Sequence, residues 1–121
     1  MSLDRRKVEG FDELNELLKD IKCRAVILFS GSKENGQSWC PDCVQAEPII
    51  EKVIEEIVSS GDIDENFAFV ECGVGLRTYY DNFSWKDLTN AFRVDERFKV
   101  KEIPTLLDYS NKVKLFPFFK K

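Results

Sequence analysis

Trp39-Cys40-Pro41-Asp42-Cys43 is the stretch on which the reading of this 121-residue chain turns. Two cysteines separated by two residues can share the first turn of a helix, where their sulfurs close a small ring. That position also offers the first sulfur the helix's partial positive charge and its unpaired N–H groups. The flanks agree with such a placement. Ala25-Val26-Ile27-Leu28-Phe29 upstream reads as a buried strand, and residues 44–58 downstream read as an amphipathic helix with Ile50, Val53, Ile54, Ile57 and Val58 on one stripe. Strand, CxxC and helix in that order point to thiol–disulfide exchange. Cys40, at the helix start before Pro41 in the favoured first helical position, is expected to be the nucleophile. Cys43, one turn deeper, is expected to be shielded and to act as the resolving thiol.

The neighbouring residues carry two readings each. Asp42 complements the helix dipole as a first-turn acid, and it also sets a carboxylate near Cys40 that opposes its thiolate and tunes the couple. Trp39 reads either as a core aromatic or, being adjacent to the nucleophile, as a partly exposed docking surface. The polar segment 31–38, between the strand and Trp39, is either a plain surface loop or a gate over the sulfur.

Composition bounds the rest. Hydrophobic content of 43% with 33% charged residues is ordinary globular chemistry, and residues 1–121 are expected to form a single domain. Net charge is −4, and the densest basic cluster, Arg5-Arg6-Lys7, is too short to suggest nucleic acid. The first ten residues are charged and lack an apolar core, and no stretch approaches the length needed to span a bilayer. Neither a membrane nor nucleic acid is therefore an expected partner, and the default compartment is cytoplasmic. There, a CxxC pair is more often catalytic or metal-binding than a structural staple. Four cysteines and no histidine exclude Cys–His nucleophiles and mixed zinc sites. An all-cysteine site would need Cys23 and Cys72, which form no second CxxC, so no metal is expected and both read as buried packing residues.

Elements alternate along the chain. Residues 5–9 form a weak first strand, and Phe11, Leu14, Leu17, Leu18 and Ile21 keep helical spacing. The long helix from Cys40 should stop near Ser59-Ser60-Gly61. Residues 67–72 make a third strand, 73–83 a loop, and Ser84 is placed to cap a helix through Leu88 and Phe92. Two strands, 105–109 and 113–116, are joined as a hairpin by Ser110-Asn111-Lys112. Helix-linked strands followed by a hairpin give a mixed sheet in an α/β domain.

This order of elements around WCxxC resembles the thioredoxin-like fold, a central mixed β-sheet flanked by helices. Pro48, five residues after Cys43, matches the superfamily's proline in the active-site helix, and Ile103-Pro104-Thr105 matches its cis-proline loop. The run Phe29-Ser30-Gly31-Ser32-Lys33, then Ser38 to Pro48, and later Pro104-Thr105-Leu106-Leu107, is similar to the thioredoxin domain-containing protein 17 family. That resemblance implies a cytosolic disulfide reductase with Cys40 and Cys43 as its redox-active dithiol and substrate contacts at Ile103 and Pro104. It implies no bound cofactor, electrons arriving from NADPH through thioredoxin reductase, and cystine and selected proteins as disulfide substrates, with peroxidase activity besides. A redox sensor or adaptor, holding a partner through a mixed disulfide without turnover, is the competing reading.

The chain departs from the superfamily pattern twice. The buried Asp that assists proton transfer at the second cysteine corresponds to Leu28 here, which leaves Glu47 and Glu71 as candidate proton acceptors. No residues follow the last strand in sufficient number for the superfamily's closing helix. That helix is expected to be absent, and the sheet face beneath it to be met by Phe116, Phe118 and Phe119 or by a partner.

Overall fold

Strand β2 (Arg24–Ser30) divides the core in two, because its successive side chains point to opposite faces and both are buried. Ile27 and Phe29 face one way, with Val70 and Cys72 of the neighbouring strand and Leu14 and Leu17 of a helix. Val26 and Leu28 face the other way, with Phe69, Leu106 and the helical Ala46, Ile50 and Ile54. A strand apolar on both faces belongs in the middle of a sheet covered by helices on both sides. The computed structural model describes residues 3–34, 36–59, 67–75 and 85–116 and has that architecture.

In chain order the elements are β1 (Leu3–Glu9), α1 (Phe11–Asp20), β2, a small hairpin of β3 (Lys33–Glu34) and β4 (Gln37–Ser38), and α2 (Pro41–Ser59). After these come β5 (Phe67–Gly73), α3 (Ala91–Val94), β6 (Thr105–Asp108) and β7 (Val113–Phe116). The main sheet runs β1-β5-β2-β6-β7. β5 lies parallel to both β1 and β2, while β6 is antiparallel to β2 and to β7. The mixed α/β thioredoxin-like fold expected from the alternation is thus present. The first strand is stronger than its sequence suggests, with all seven residues in register against β5.

The face under α1 is filled by aromatics. Phe29 stands 5.3 Å from Phe98 and 5.7 Å from Phe92 between ring centroids, and Phe11 meets Phe92 edge-on at 5.5 Å. Such pairs each contribute roughly 0.5–1.5 kcal/mol beyond their buried area. Pro48 lies inside α2, which continues past it to Ser59.

One helix differs from expectation. The helix placed from Ser84 through Leu88 to Phe92 is only α3, and its cap is Asn90, whose side chain accepts the Phe92 N–H at 2.9 Å. The reason is local competition for backbone. Asp87 Oδ1 accepts the Thr89 N–H at 2.8 Å and the Asp87 carbonyl accepts the Asn90 N–H at 2.9 Å, so the chain turns before it can coil. Leu88 is accordingly exposed. Ser84 and most of the loop after Gly75 lie outside the described residues, as do Phe118, Phe119 and the rest of 117–121, on which the expected absence of a closing helix falls.

Candidate active site

Cys40 caps helix α2. Its carbonyl accepts the Val44 N–H at 3.1 Å, and its Sγ accepts the Cys43 N–H at 3.4 Å, an N-cap in which sulfur replaces the usual oxygen. The N–H it accepts and the aligned peptide dipoles of α2 both point toward that sulfur. Pro41 supplies the first helical residue, whose N–H would have no intrahelical partner, and Asp42 is exposed on the same turn. The Cys40 N–H is itself taken by Ser38 Oγ at 3.2 Å, which ties the end of β4 to the helix start.

Cys43 is sealed beneath. It is 2% exposed against 6% for Cys40, and its Sγ accepts the Gly31 N–H at 3.4 Å. Both cysteines are free thiols. Burial, with the hydrogen bond to Cys40 added, pushes the Cys43 thiol up to about 12, against smaller opposing effects of the Ser30 side chain and the Gly31 N–H. Through neutral pH it therefore holds its proton.

The wall beside the sulfurs is a polar lock that sequence periodicity does not reveal. The Ser32 hydroxyl donates to the Glu9 carboxylate and accepts the Gly75 N–H at 2.9 Å, while the Ser32 N–H donates to the Gly75 carbonyl at 3.0 Å. The same carbonyl accepts Trp39 Nε1–H at 2.8 Å, so the half-buried indole is held in one orientation beside Cys40. Gly31 is required by this packing, since a Cβ there would sit 2.9 Å from Trp39 Nε1 and 3.0 Å from Ser38 Oγ. The segment 31–38 is thus anchored at both ends and folded into the β3–β4 hairpin, with Lys33, Gly36 and Gln37 exposed.

Ile103 and Pro104 lie just before β6. The peptide bond between them is cis, both are buried, and Ile103 packs in the same apolar cluster as Cys40, Cys43 and the half-buried Trp39. Sequence-named Trp39, Cys40, Cys43 and Ile103 thus share one apolar cluster, with Pro104 next to Ile103 in the chain. Leu28 is packed against α2, 5% exposed, and it lines a cleft of about 300 Å³ with Ser30, Glu47 and Glu71. Cys72 is buried in the core as expected, and burial, together with the charges of Glu9 and Glu13, pushes its thiol far up. Cys23 is only half-buried, at the opposite end of β2. Among the described residues no group of three or more metal-ligating side chains converges, and no helix is long and apolar enough to cross a membrane.

Comparison with known proteins matches this geometry. The family model for thioredoxin domain-containing protein 17-like thioredoxin domains covers residues 7–117. Thioredoxin domain-containing protein 17 of Mus musculus is 38% identical over 110 residues, spanning 89% of this chain and 79% of its own length. The Homo sapiens protein of that name has the same identity and coverage. Thioredoxin-like protein Clot of Arabidopsis thaliana is 36% identical over 99 residues, 78% of this chain and 66% of its own. A cysteine at the N-cap of α2 with a second one turn deeper, a cis Ile103–Pro104 bond and this span of similarity together place the chain in the thioredoxin domain-containing protein 17-like family of the thioredoxin superfamily.

Proposed function

We propose that this protein is a cytoplasmic disulfide reductase that cycles the Cys40–Cys43 dithiol. The supporting observation is the asymmetry of the two sulfurs, one at a helix N-terminus accepting an N–H, the other buried below it with its proton retained. In the forward half-cycle the Cys40 thiolate attacks one sulfur of a substrate disulfide. A Cys40–substrate bond forms, the substrate disulfide breaks, and the first substrate sulfur leaves as thiolate. Cys43 then attacks Cys40 Sγ and releases the second sulfur, so the substrate gains two electrons and the protein becomes a disulfide. Trp39, Ile103 and Pro104 supply the surface on which the substrate chain lies, and Asp42 tunes the couple from the exposed first turn.

The oxidised protein needs an external electron donor. The family relationship supports thioredoxin reductase with NADPH in that role, cystine and selected protein disulfides as substrates, and peroxide reduction as a side activity of the same thiolate. The whole of residues 1–121 is read as the one catalytic domain. NADPH consumption with thioredoxin reductase, the protein and cystine is the decisive assay. Many turnovers per protein molecule are expected. A single stoichiometric oxidation followed by arrest would instead favour the sensor or adaptor reading, in which a partner is held through a mixed disulfide.

A further inference from the structure

Glu9 closes the first strand, far in sequence from both active-site cysteines, yet its carboxylate is part of the wall that holds Trp39. It accepts the Ser32 hydroxyl proton. To reach that hydroxyl it passes over Gly73, its register partner on β5, where any Cβ would overlap the carboxylate. The missing side chain at Gly73 is what lets an acid of β1 meet the loop after β2. A hydroxyl has one proton and two lone pairs. With the proton committed to Glu9, a lone pair of Ser32 Oγ is left for the Gly75 N–H, accepted at 2.9 Å. The Ser32 N–H closes the ring on the Gly75 carbonyl at 3.0 Å, and the same carbonyl holds Trp39 Nε1–H at 2.8 Å. Ser32 is buried, so a lost partner there is poorly replaced by water. The other hydrogen bond of Glu9 runs from its own N–H to Glu13 Oε1 at 2.9 Å, so the hydrogen-bonded path from its carboxylate to Trp39 passes through Ser32.

We propose that Glu9 is a positioning residue of the redox site, fixing the Trp39 indole through Ser32 and Gly75 before a disulfide arrives. The proposal rests on the reductase reading, in which Trp39 is part of the surface that meets substrate. The mechanism is preorganisation. An indole free to turn must be immobilised in each encounter, which weakens binding about two- to tenfold, whereas an indole already held carries no such cost. A carboxylate suits the task because a hydrogen bond to a charged acceptor is roughly twice as strong as a neutral one.

Two rates and one spectrum separate this role from a purely structural one. In Glu9→Ala the rate of cystine reduction by the reduced protein should fall about two- to tenfold. Alkylation of Cys40 by iodoacetamide, followed by peptide mapping, needs no docking surface and should keep its rate. Trp39 and Trp85 are the chain's two tryptophans, so their indole N–H signals in a proton–nitrogen correlation spectrum are assigned by Trp39→Phe. The Trp39 signal should exchange with deuterium about fivefold faster in Glu9→Ala, the equivalent of one hydrogen bond. Gly73→Ala should reproduce both effects with Glu9 still in place, because the new methyl displaces the carboxylate, the free end of a flexible side chain. Glu9→Gln keeps an acceptor at the same reach and should retain more cystine reduction than Glu9→Asp, which keeps the charge but is one methylene short. An unaltered cystine rate or Trp39 exchange in Glu9→Ala, alkylation slowed as much as cystine reduction, or better retention in Glu9→Asp than in Glu9→Gln overturns the positioning role alone. Wild-type protein that leaves cystine intact overturns the reductase reading instead.

Discussion

Cys40 and Cys43 differ by one turn of helix and by what surrounds each sulfur, and their reactivities should differ accordingly. With its proton held up to about pH 12, Cys43 of the reduced protein should resist alkylation at neutral pH, whereas Cys40, bonded to a helical N–H, should react first. Peptide-mapping mass spectrometry of protein treated with iodoacetamide at pH 7 should show Cys40 modified well before Cys43, with Cys43 and the buried Cys72 modified only after denaturation and the half-buried Cys23 scored separately. Modification at Cys43 first would reverse the assignment of roles. The corresponding variants should differ in kind. Cys40→Ser abolishes disulfide reduction, while Cys43→Ser keeps the nucleophile and accumulates a stable mixed disulfide at Cys40. The cysteine pair and its two neighbours were legible in sequence because they are contiguous and chemically distinctive. Ser32, Glu9 and Gly75 were not, because ordinary residues far apart in the chain acquire their role only when β1, β2 and β5 meet at one edge.

At the scale of elements, apolar runs were the reliable signal. The buried 25–29 run fixed β2 as the central strand, and the 3.6-residue stripe of Ile50, Val53 and Ile54 fixed α2. The helix expected from Ser84 failed where polar side chains competed for the backbone, and the cap passed to Asn90. That asparagine also donates from Nδ2 to the Val74 carbonyl at 2.9 Å, next to the Gly75 that holds Trp39. Asn90→Ala should therefore cost about 2–3 kcal/mol, roughly 1 for the cap and the remainder for a buried carbonyl left unpaired. Urea unfolding checks the figure, and a loss below about 0.5 kcal/mol would show that water replaces both bonds. The β3–β4 hairpin bears on specificity. Its ends are tied to Gly75 and to the Cys40 N–H, and Lys33, Gly36 and Gln37 are exposed. A folded client should meet it sterically, while cystine should pass. Excising residues 34–37 should raise kcat/KM for a folded disulfide client far more than for cystine. Equal efficiency of the intact protein and an ordinary thioredoxin on that client would end the gating idea.

Across the whole molecule the reactive end of β2 and its stabilised end are separate. Arg24 begins the strand and Ser30 closes it, roughly 20 Å apart at about 3.3 Å per residue. At the Arg24 end, Asp108 is 2% exposed and takes Arg24 Nη2 at 2.7 Å and Asn111 Nδ2 at 2.9 Å. Burial alone would raise this carboxyl, but the bonds from Arg24 and Asn111 outweigh it, and the net effect holds it below the usual carboxylate range. The unfolded chain titrates Asp near ~3.9, above the folded value. The unfolded state therefore binds the proton more readily, and stability from this group is complete above about pH 4 and is lost as pH falls through the folded value. Asp108→Asn should cost about 1.5–3 kcal/mol at pH 7, the range for hydrogen bonds to a charged group. The gap to wild type should narrow steadily below about pH 4, because protonation there does to Asp108 what the substitution does at every pH. Urea midpoints at pH 7 and at pH 3 measure both gaps, and the rate of Cys40 alkylation at pH 7 should be the same in the two proteins. A gap equal at both pH values would show that Asp108 stabilises by shape rather than by charge. A changed alkylation rate would show that the two ends of β2 are coupled.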